Sequence, residues 1–302
     1  MIRVGKVKSL LAGLFLSVFA AGATGWEVPN WSTVVTPPGA IREYIGKTWC
    51  GHSQGMCVSS NAIYFSFHNQ IVKTDWFGRL LDRRDVDAHS GDICLWNGKL
   101  YTGVWLLPKK GSGDKPCAAI CVYEADTLKL LKQHRLPWGG ADGITCLDGV
   151  IYLGMGNNTG LRKNWYGKFD AETLEPLCET FGVDDVDGSS CGAQNMCTDG
   201  TYIYASHYVS DPVANNIIVH DKNDFRVVAK YQFGQNNGLD VVPGGKDGAL
   251  RFAWCFTPNW RNRENRPSPP VCCVMQFGEL KDGRFADITY YGDTASLRRS
   301  QH

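Results

Sequence analysis

The chain has 302 residues, and its 31 Lys and Arg residues nearly balance its 30 Asp and Glu residues. A net charge of +1 excludes a strongly basic nucleic-acid-binding protein and an acidic tail protein. Hydrophobic residues make up 43% of the chain, which is typical of a folded globular protein, and the 34 Gly residues favour short strands and tight turns.

The N-terminal segment has the three parts of a secretory signal peptide. Arg3, Lys6 and Lys8 form a positive region, an apolar run follows, and Ala21-Gly22-Ala23 supplies small residues for cleavage. The sequence therefore predicts that residues 1–23 are removed and that the protein is secreted or periplasmic. After cleavage no membrane segment is expected, and residues 24–302 are expected to form one domain.

An internal repeat is the main structural signal. Five segments place a small or polar pair before a large aliphatic residue, and these aliphatic residues are Met56, Ile93, Ile144, Met196 and Leu239. In four of the segments a Tyr follows at a constant distance, at Tyr64, Tyr101, Tyr152 and Tyr204. Asn97-Gly98, Asp148-Gly149 and Asp199-Gly200 lie between them and predict tight hairpins.

The first four repeats continue with two further strand patterns, the first of which ends in Asp, and the fifth repeat is irregular, with a Pro-rich insertion at 258–270. Four short antiparallel strands in about 40–50 residues are typical of one blade of a β-propeller. The sequence therefore predicts an all-β protein, a five-bladed β-propeller with four-stranded antiparallel blades, with six blades as the alternative. The segments 41–45 and 285–290 are the candidates for the outer strand that closes the ring.

Twelve Cys residues remain in the mature chain. An even, high number in an exported protein favours disulfide bonds, although several of these Cys lie in strand patterns where buried free thiols are the alternative. The pairing cannot be read from the sequence.

Two short segments resemble known propeller families. Asn236-Asn237-Gly238-Leu239 is similar to a motif of SMP-30/gluconolactonase-like propellers, and 52–56 is similar to strand openings in that group and in glutaminyl cyclotransferases. Through these motifs most of the mature chain resembles secreted propellers of the NHL and SMP-30 type. The resemblance implies a propeller and, for the SMP-30 group, a metal-dependent lactonase.

Polar residues at the start of each first strand should converge at one mouth of the central channel. His52 and His89 are the candidate catalytic bases. The candidate ligand-binding residues are Gln54, Asp92, Gln194, Trp105 and Trp138, and a further aromatic candidate is Trp260. Asp142, Asn195, Asn237 and Asp240 form an oxygen-rich set that could bind Ca²⁺.

Three functions are compatible with these residues, and the sequence leaves open whether the protein is an enzyme. The first is binding of a small polar molecule or a glycan at the channel mouth. The second is a Ca²⁺-dependent hydrolase of the lactonase or esterase type, and the third is a protein-interaction propeller. No motif for a nucleotide cofactor or for nucleic acid is present.

Overall fold

A computed structural model describes residues 33–35, 53–76, 78–86, 89–106, 108, 111, 113, 115–155, 164–183, 192–207, 217–231, 237–242, 249–256, 274–281 and 284–285. The predicted signal peptide, His52, Trp260 and the segment 41–45 lie outside these residues. Within them, no helix is long and apolar enough to span a membrane.

Five antiparallel sheets follow one another along the chain. Blade 1 contains β2 (Ser53–Val58), β3 (Ile63–Phe67), β4 (Gln70–Thr74) and β5 (Leu80–Asp85). Blade 2 contains β6 (His89–Trp96), β7 (Lys99–Leu106), β8 (Cys117–Glu124) and β9 (Leu130–Arg135). Blade 3 contains β10 (Ile144–Leu147), β11 (Val150–Gly154), β12 (Asn164–Asp170) and β13 (Phe181–Val183).

Blade 4 has the same strand order. Blade 5 also contains a strand from the N-terminal part of the chain. Blade 4 contains β14 (Ala193–Thr198), β15 (Tyr202–His207), β16 (Ile217–Asp221) and β17 (Val227–Tyr231). Blade 5 contains β18 (Leu239–Val242), β19 (Leu250–Phe256), β20 (Val274–Lys281), β21 (Arg284–Phe285) and β1 (Thr33–Val35). Both β1 and β21 pair with β20. The five-bladed propeller is therefore confirmed, and β1 supplies a closing strand at 33–35 that the sequence did not reveal.

The core consists of five clusters, and each lies between two neighbouring blades. Apolar side chains of blades 1 and 2, 2 and 3, 3 and 4, and 4 and 5 form four of them. The fifth joins blade 5 to blade 1 through residues such as Met56 and Met275. Because the last blade packs on the first, the ring is closed. The outer strands β5, β9 and β17 are largely exposed.

The repeated aliphatic and Tyr positions explain this packing. The five aliphatic residues lie on the first strands and are at most 2% exposed. Across the first hairpin of blades 1 to 4 the residue that follows the aliphatic faces the repeated Tyr, as in Cys57–Tyr64, Cys94–Tyr101 and Cys197–Tyr204. Burial raises the pKa of these three thiols, so they act as small apolar side chains.

The disulfide prediction gains no support in the described part of the chain. All eight cysteines found there are free thiols, namely Cys57, Cys94, Cys117, Cys121, Cys146, Cys178, Cys197 and Cys255. Six of them are buried in the sheets, in agreement with the alternative prediction of buried free thiols. Cys50, Cys191, Cys272 and Cys273 lie outside the described residues.

Two of the predicted hairpins have the backbone that their sequence requires. Asn97 and Gly98 have φ values of 48° and 73°, and Asp148 and Gly149 have 52° and 78°, as a type I′ turn demands. The third hairpin is wider. Gly200 has φ 90°, while Asp199 accepts hydrogen bonds from the backbone N–H groups of Thr201 and Tyr202.

We expect Gly98→Ala to lower the free energy of unfolding by about 1 kcal/mol, because an L-residue is strained at this positive φ. Gly139→Ala is the matched control, since an added Cβ meets no atom within 4 Å at either position and only Gly98 has a positive φ. Urea unfolding of both variants measures the difference. An equal effect in the two variants would contradict the turn assignment.

Candidate functional site

The two ends of the ring differ in their connections. All five first strands surround the centre and run in one direction, so we name the end where they begin the upper end and the other the lower end. The lower end carries the tight hairpins of the first strand pairs. The connections from the second to the third strand leave at the upper end in blades 2 to 5, and they span 107–116, 155–163, 208–216 and 257–273. Long connections of this kind are where binding residues concentrate in many folds.

Asp92 lies at the centre of the ring and joins three blades. It projects from β6, and its Oδ2 accepts hydrogen bonds from the backbone N–H of Met196 at 2.7 Å and of Ile144 at 3.3 Å. The residue is fully buried, and this burial raises the pKa of its carboxyl group well above the usual value. Asp92 was predicted to bind a ligand, but its described contacts hold blade 2 to blades 3 and 4.

Asn195 completes the connection to the remaining blades. Its Nδ2 donates to the carbonyl oxygen of Gln54 at 2.6 Å in blade 1, and its Oδ1 accepts from the N–H of Gly238 at 2.9 Å in blade 5. Like Asp92, it is fully buried. We call Asp92 and Asn195 together the central plug, because their side chains cross the channel and join all five blades.

Glycine makes room for the central plug. Asp92 and Asn195 directly precede the aliphatic residue of their repeats, and the other three repeats have Gly55, Gly143 and Gly238 at this position. A Cβ on Gly55 would lie 2.3 Å from Asp92 Oδ1, and one on Gly238 would lie 2.9 Å from Met56 Cγ. The order Gly, Asp, Gly, Asn, Gly around the ring is a sequence signal for the central plug that the sequence analysis did not use.

The predicted Ca²⁺ ligands are dispersed along the channel. Asp240 lies towards the lower end, where its Oδ2 accepts from the N–H of Val58 and its Oδ1 from the N–H of Val241, both at 2.9 Å. Asp142 lies at the upper end, and Asn195 is part of the central plug. Asn237 is partly exposed, and its carbonyl oxygen accepts the thiol of Cys255. No group of three or more His, Cys, Asp and Glu that could hold a metal occurs among the described residues, and the Ca²⁺ site stays a prediction from the sequence.

Four of the predicted residues form a cluster at the upper end. Gln194 Nε2 donates to Asp142 Oδ2 at 3.2 Å, and Trp105 also interacts with this carboxyl group. The His89 ring lies 5.7 Å from the Trp105 ring and 4.3 Å from the ring of His68, which the sequence analysis missed. We call His89, Trp105, Asp142 and Gln194 the upper cluster.

Burial changes the charge of both titratable groups in the upper cluster. It raises the pKa of Asp142 to about 7, against the lowering effect of the Gln194 hydrogen bond and of the nearby Trp105. It lowers the pKa of His89 to about 4, so that its ring is neutral at pH 7. The upper cluster therefore combines a carboxyl group that titrates near neutral pH with neutral donors and acceptors.

The other predicted ligand-binding residues take packing positions. Trp138 packs on Phe169 with ring centroids 5.9 Å apart and joins the core cluster between blades 2 and 3. Gln54 is 7% exposed, and its backbone carbonyl is held by Asn195. Of the two predicted bases, only His89 lies within the described part of the chain.

No protein-family model matches the chain, and no curated protein matches it. Glutaminyl cyclase of Myxococcus xanthus is similar to it in structure, with a TM-score of 0.51, 12% identity, and coverage of 83% of this chain and 99% of that one. BamB of Moraxella catarrhalis has a TM-score of 0.36 and 13% identity, and the match covers 74% of this chain and 59% of BamB. The Pan2 WD40 domain of Neurospora crassa has a TM-score of 0.41 and 8% identity, with coverage of 66% and 60%.

At 12% identity the likeness to the glutaminyl cyclase concerns the fold alone. The predicted resemblance to NHL and SMP-30 propellers stays an expectation from the sequence.

The raised pKa of Asp142 predicts a pH-dependent stability. A carboxyl group whose pKa rises from 3.8 to about 7 on folding stabilises the native state fully below pH 3.8, and this contribution is lost as the pH rises through 7. Between pH 5 and pH 8 the wild type should therefore lose about 2 kcal/mol that Asp142→Asn does not lose.

Urea unfolding of the wild type and Asp142→Asn at pH 5 and pH 8 measures this difference. Asp126→Asn is the control, because the Asp126 side chain is 91% exposed and Asp142 is intact, so this variant should lose stability with rising pH as the wild type does. Parallel behaviour of the wild type and Asp142→Asn across this range would contradict a buried, protonated Asp142.

Proposed function

We propose that this propeller binds a small polar ligand, such as a sugar or a glycan, at its upper end. The observation that carries the proposal is the Asp142–Gln194 hydrogen bond beside Trp105 and the neutral His89. Sugar hydroxyl groups both donate and accept hydrogen bonds, and a carboxyl group, an amide and a neutral imidazole match them without a fixed charge. An indole ring offers an apolar face for the sugar ring.

The position of the upper cluster agrees with this proposal. It lies where the long connections of blades 2 to 5 leave the sheets, whereas the lower end has tight hairpins. The central plug lies immediately below the upper cluster, so a ligand entering from above would rest on it. Export guided by residues 1–23 would expose this surface to extracellular or periplasmic ligands, and that part of the proposal rests on the sequence alone.

A second function, acid–base hydrolysis, is favoured by one observation. A carboxyl group with a pKa of about 7 is suited to act as a general acid near neutral pH, and the neutral His89 ring can accept a proton. Groups with shifted pKa values are enriched at active sites. This hydrolase would use Asp142 and His89 as its own acid and base.

Ligand-observed NMR on the purified protein tests the first function. The panel should contain monosaccharides, oligosaccharides, polyols, a lactone and, because of the structural likeness to a glutaminyl cyclase, a glutaminyl peptide. We expect at least one sugar to bind and Trp105→Ala to weaken its binding at least tenfold, because the variant removes the stacking face. Consumption of the lactone that is lost in Asp142→Asn would support the hydrolase instead.

Trp96→Ala is the matched control, since Trp96 is also partly exposed but lies at the lower end of the same blade. It should bind the sugar as the wild type does. Ligand binding that survives Trp105→Ala and Gln194→Ala unchanged would overturn the proposed site.

A further inference from the structure

A pocket lies below the central plug. It has a volume of about 210 Å³, and its walls come from the first strands of all five blades. Met56 and Met196 form part of its floor and are at most 1% exposed, while Leu95 and Thr198 are partly exposed. The pocket is therefore closed towards the central plug and open at the lower end. We call it the lower pocket.

Asp240 is the only carboxyl group among the residues that line the lower pocket, and burial raises its pKa to about 7, so it is mostly ionised at pH 8. Many of the other lining residues are apolar, but most of the surface that is open to the pocket is polar. Its two oxygens accept one backbone N–H each, from Val58 and Val241. Because each carboxylate oxygen can accept two hydrogen bonds, both keep acceptor capacity. None of the described Lys or Arg side chains forms an ion pair with Asp240.

The chemistry of these walls selects a small cation. A buried, ionised carboxylate is stabilised by a group that brings a positive charge and several donors. A primary ammonium group provides three N–H donors for Asp240 and the polar surface around it, and a short chain can extend towards the partly exposed Leu95 at the rim. The volume is below that of pockets for drug-sized molecules, so the cation must be small.

We propose that the lower pocket is a binding site for a small primary amine in its ammonium form, with the ammonium group on Asp240 and its short chain directed towards the rim at Leu95. The site is independent of the ligand proposed for the upper end, because the central plug separates the two. A water-filled pocket in which Asp240 only fastens blade 5 to blade 1 is the alternative that the experiment must exclude.

The direct test is a titration of ¹⁵N-labelled protein with butylammonium chloride at pH 8, where Asp240 is mostly ionised, followed by NMR. Saturable shifts are expected at the amides of Val58, Leu95 and Val241, with a Kd in about the millimolar range for so small a ligand. 1-Butanol has the same chain without the charge, and it should give much smaller shifts at equal concentration. Calcium chloride, titrated alone, should not shift these amides.

Two variants and one control locate the site. Asp240→Asn keeps an acceptor for the Val58 N–H and removes the charge, so it should weaken butylammonium binding by about 10- to 100-fold. Leu95→Trp should block the rim and abolish binding by a route that does not involve the carboxylate. Asp148→Asn changes the net charge equally at an exposed turn of the lower end, and it should bind as the wild type does.

Several results would overturn the proposal. These are the absence of saturable shifts, equal shifts with 1-butanol, shifts of these amides by calcium chloride but not by butylammonium, or unchanged binding in folded Asp240→Asn. If Asp240→Asn does not fold, unchanged binding in Leu95→Trp overturns it. Because sugar binding is measured at the upper end with Trp105→Ala, the failure of one site leaves the result for the other unaffected.

Discussion

The central plug is the interaction on which the rest of the ring depends. A propeller blade contacts only its two neighbours through the core, but Asp92 and Asn195 also reach blades across the channel. At the equivalent site of blade 1 the position of Asp92 requires glycine, since a Cβ on Gly55 would overlap its carboxyl group. A Cβ on Gly143 or Gly238 would instead overlap other neighbours, Ala193 and Cys255. Two polar side chains and three glycines thus fill the centre and satisfy backbone groups that would otherwise be buried without partners.

The central plug also gives the two ends of the channel separate chemistries. Above it, the upper cluster offers neutral hydrogen-bonding groups and an indole ring, in the region from which the long connections leave. Below it, the lower pocket contains one carboxyl group, that of Asp240, among the first strands of all five blades. The protein therefore has two candidate ligand sites on one axis, and the central plug separates them.

The fold could be predicted because its signal is periodic. The repeated aliphatic and Tyr positions mark the first hairpin of each blade, and they define the packing between blades. The closing strand β1 was missed because three residues outside the repeats carry no periodic pattern. For the site, the sequence predicted that polar residues converge, but Asp92, Asn195 and Asp240 bind backbone N–H or C=O groups of other blades. Those contacts depend on how the blades are rotated against one another, which spacing along the chain does not encode.

The most direct test of this account is the free energy of unfolding of Asp92→Ala compared with that of Asp126→Ala, measured in urea at pH 6. Removing the Asp92 carboxyl group leaves the buried N–H groups of Ile144 and Met196 without their acceptor, at about 1–3 kcal/mol each. The account predicts a loss of about 3–5 kcal/mol for Asp92→Ala and less than about 0.5 kcal/mol for the exposed control. Equal losses in the two variants would show that the blades are held together without the central plug.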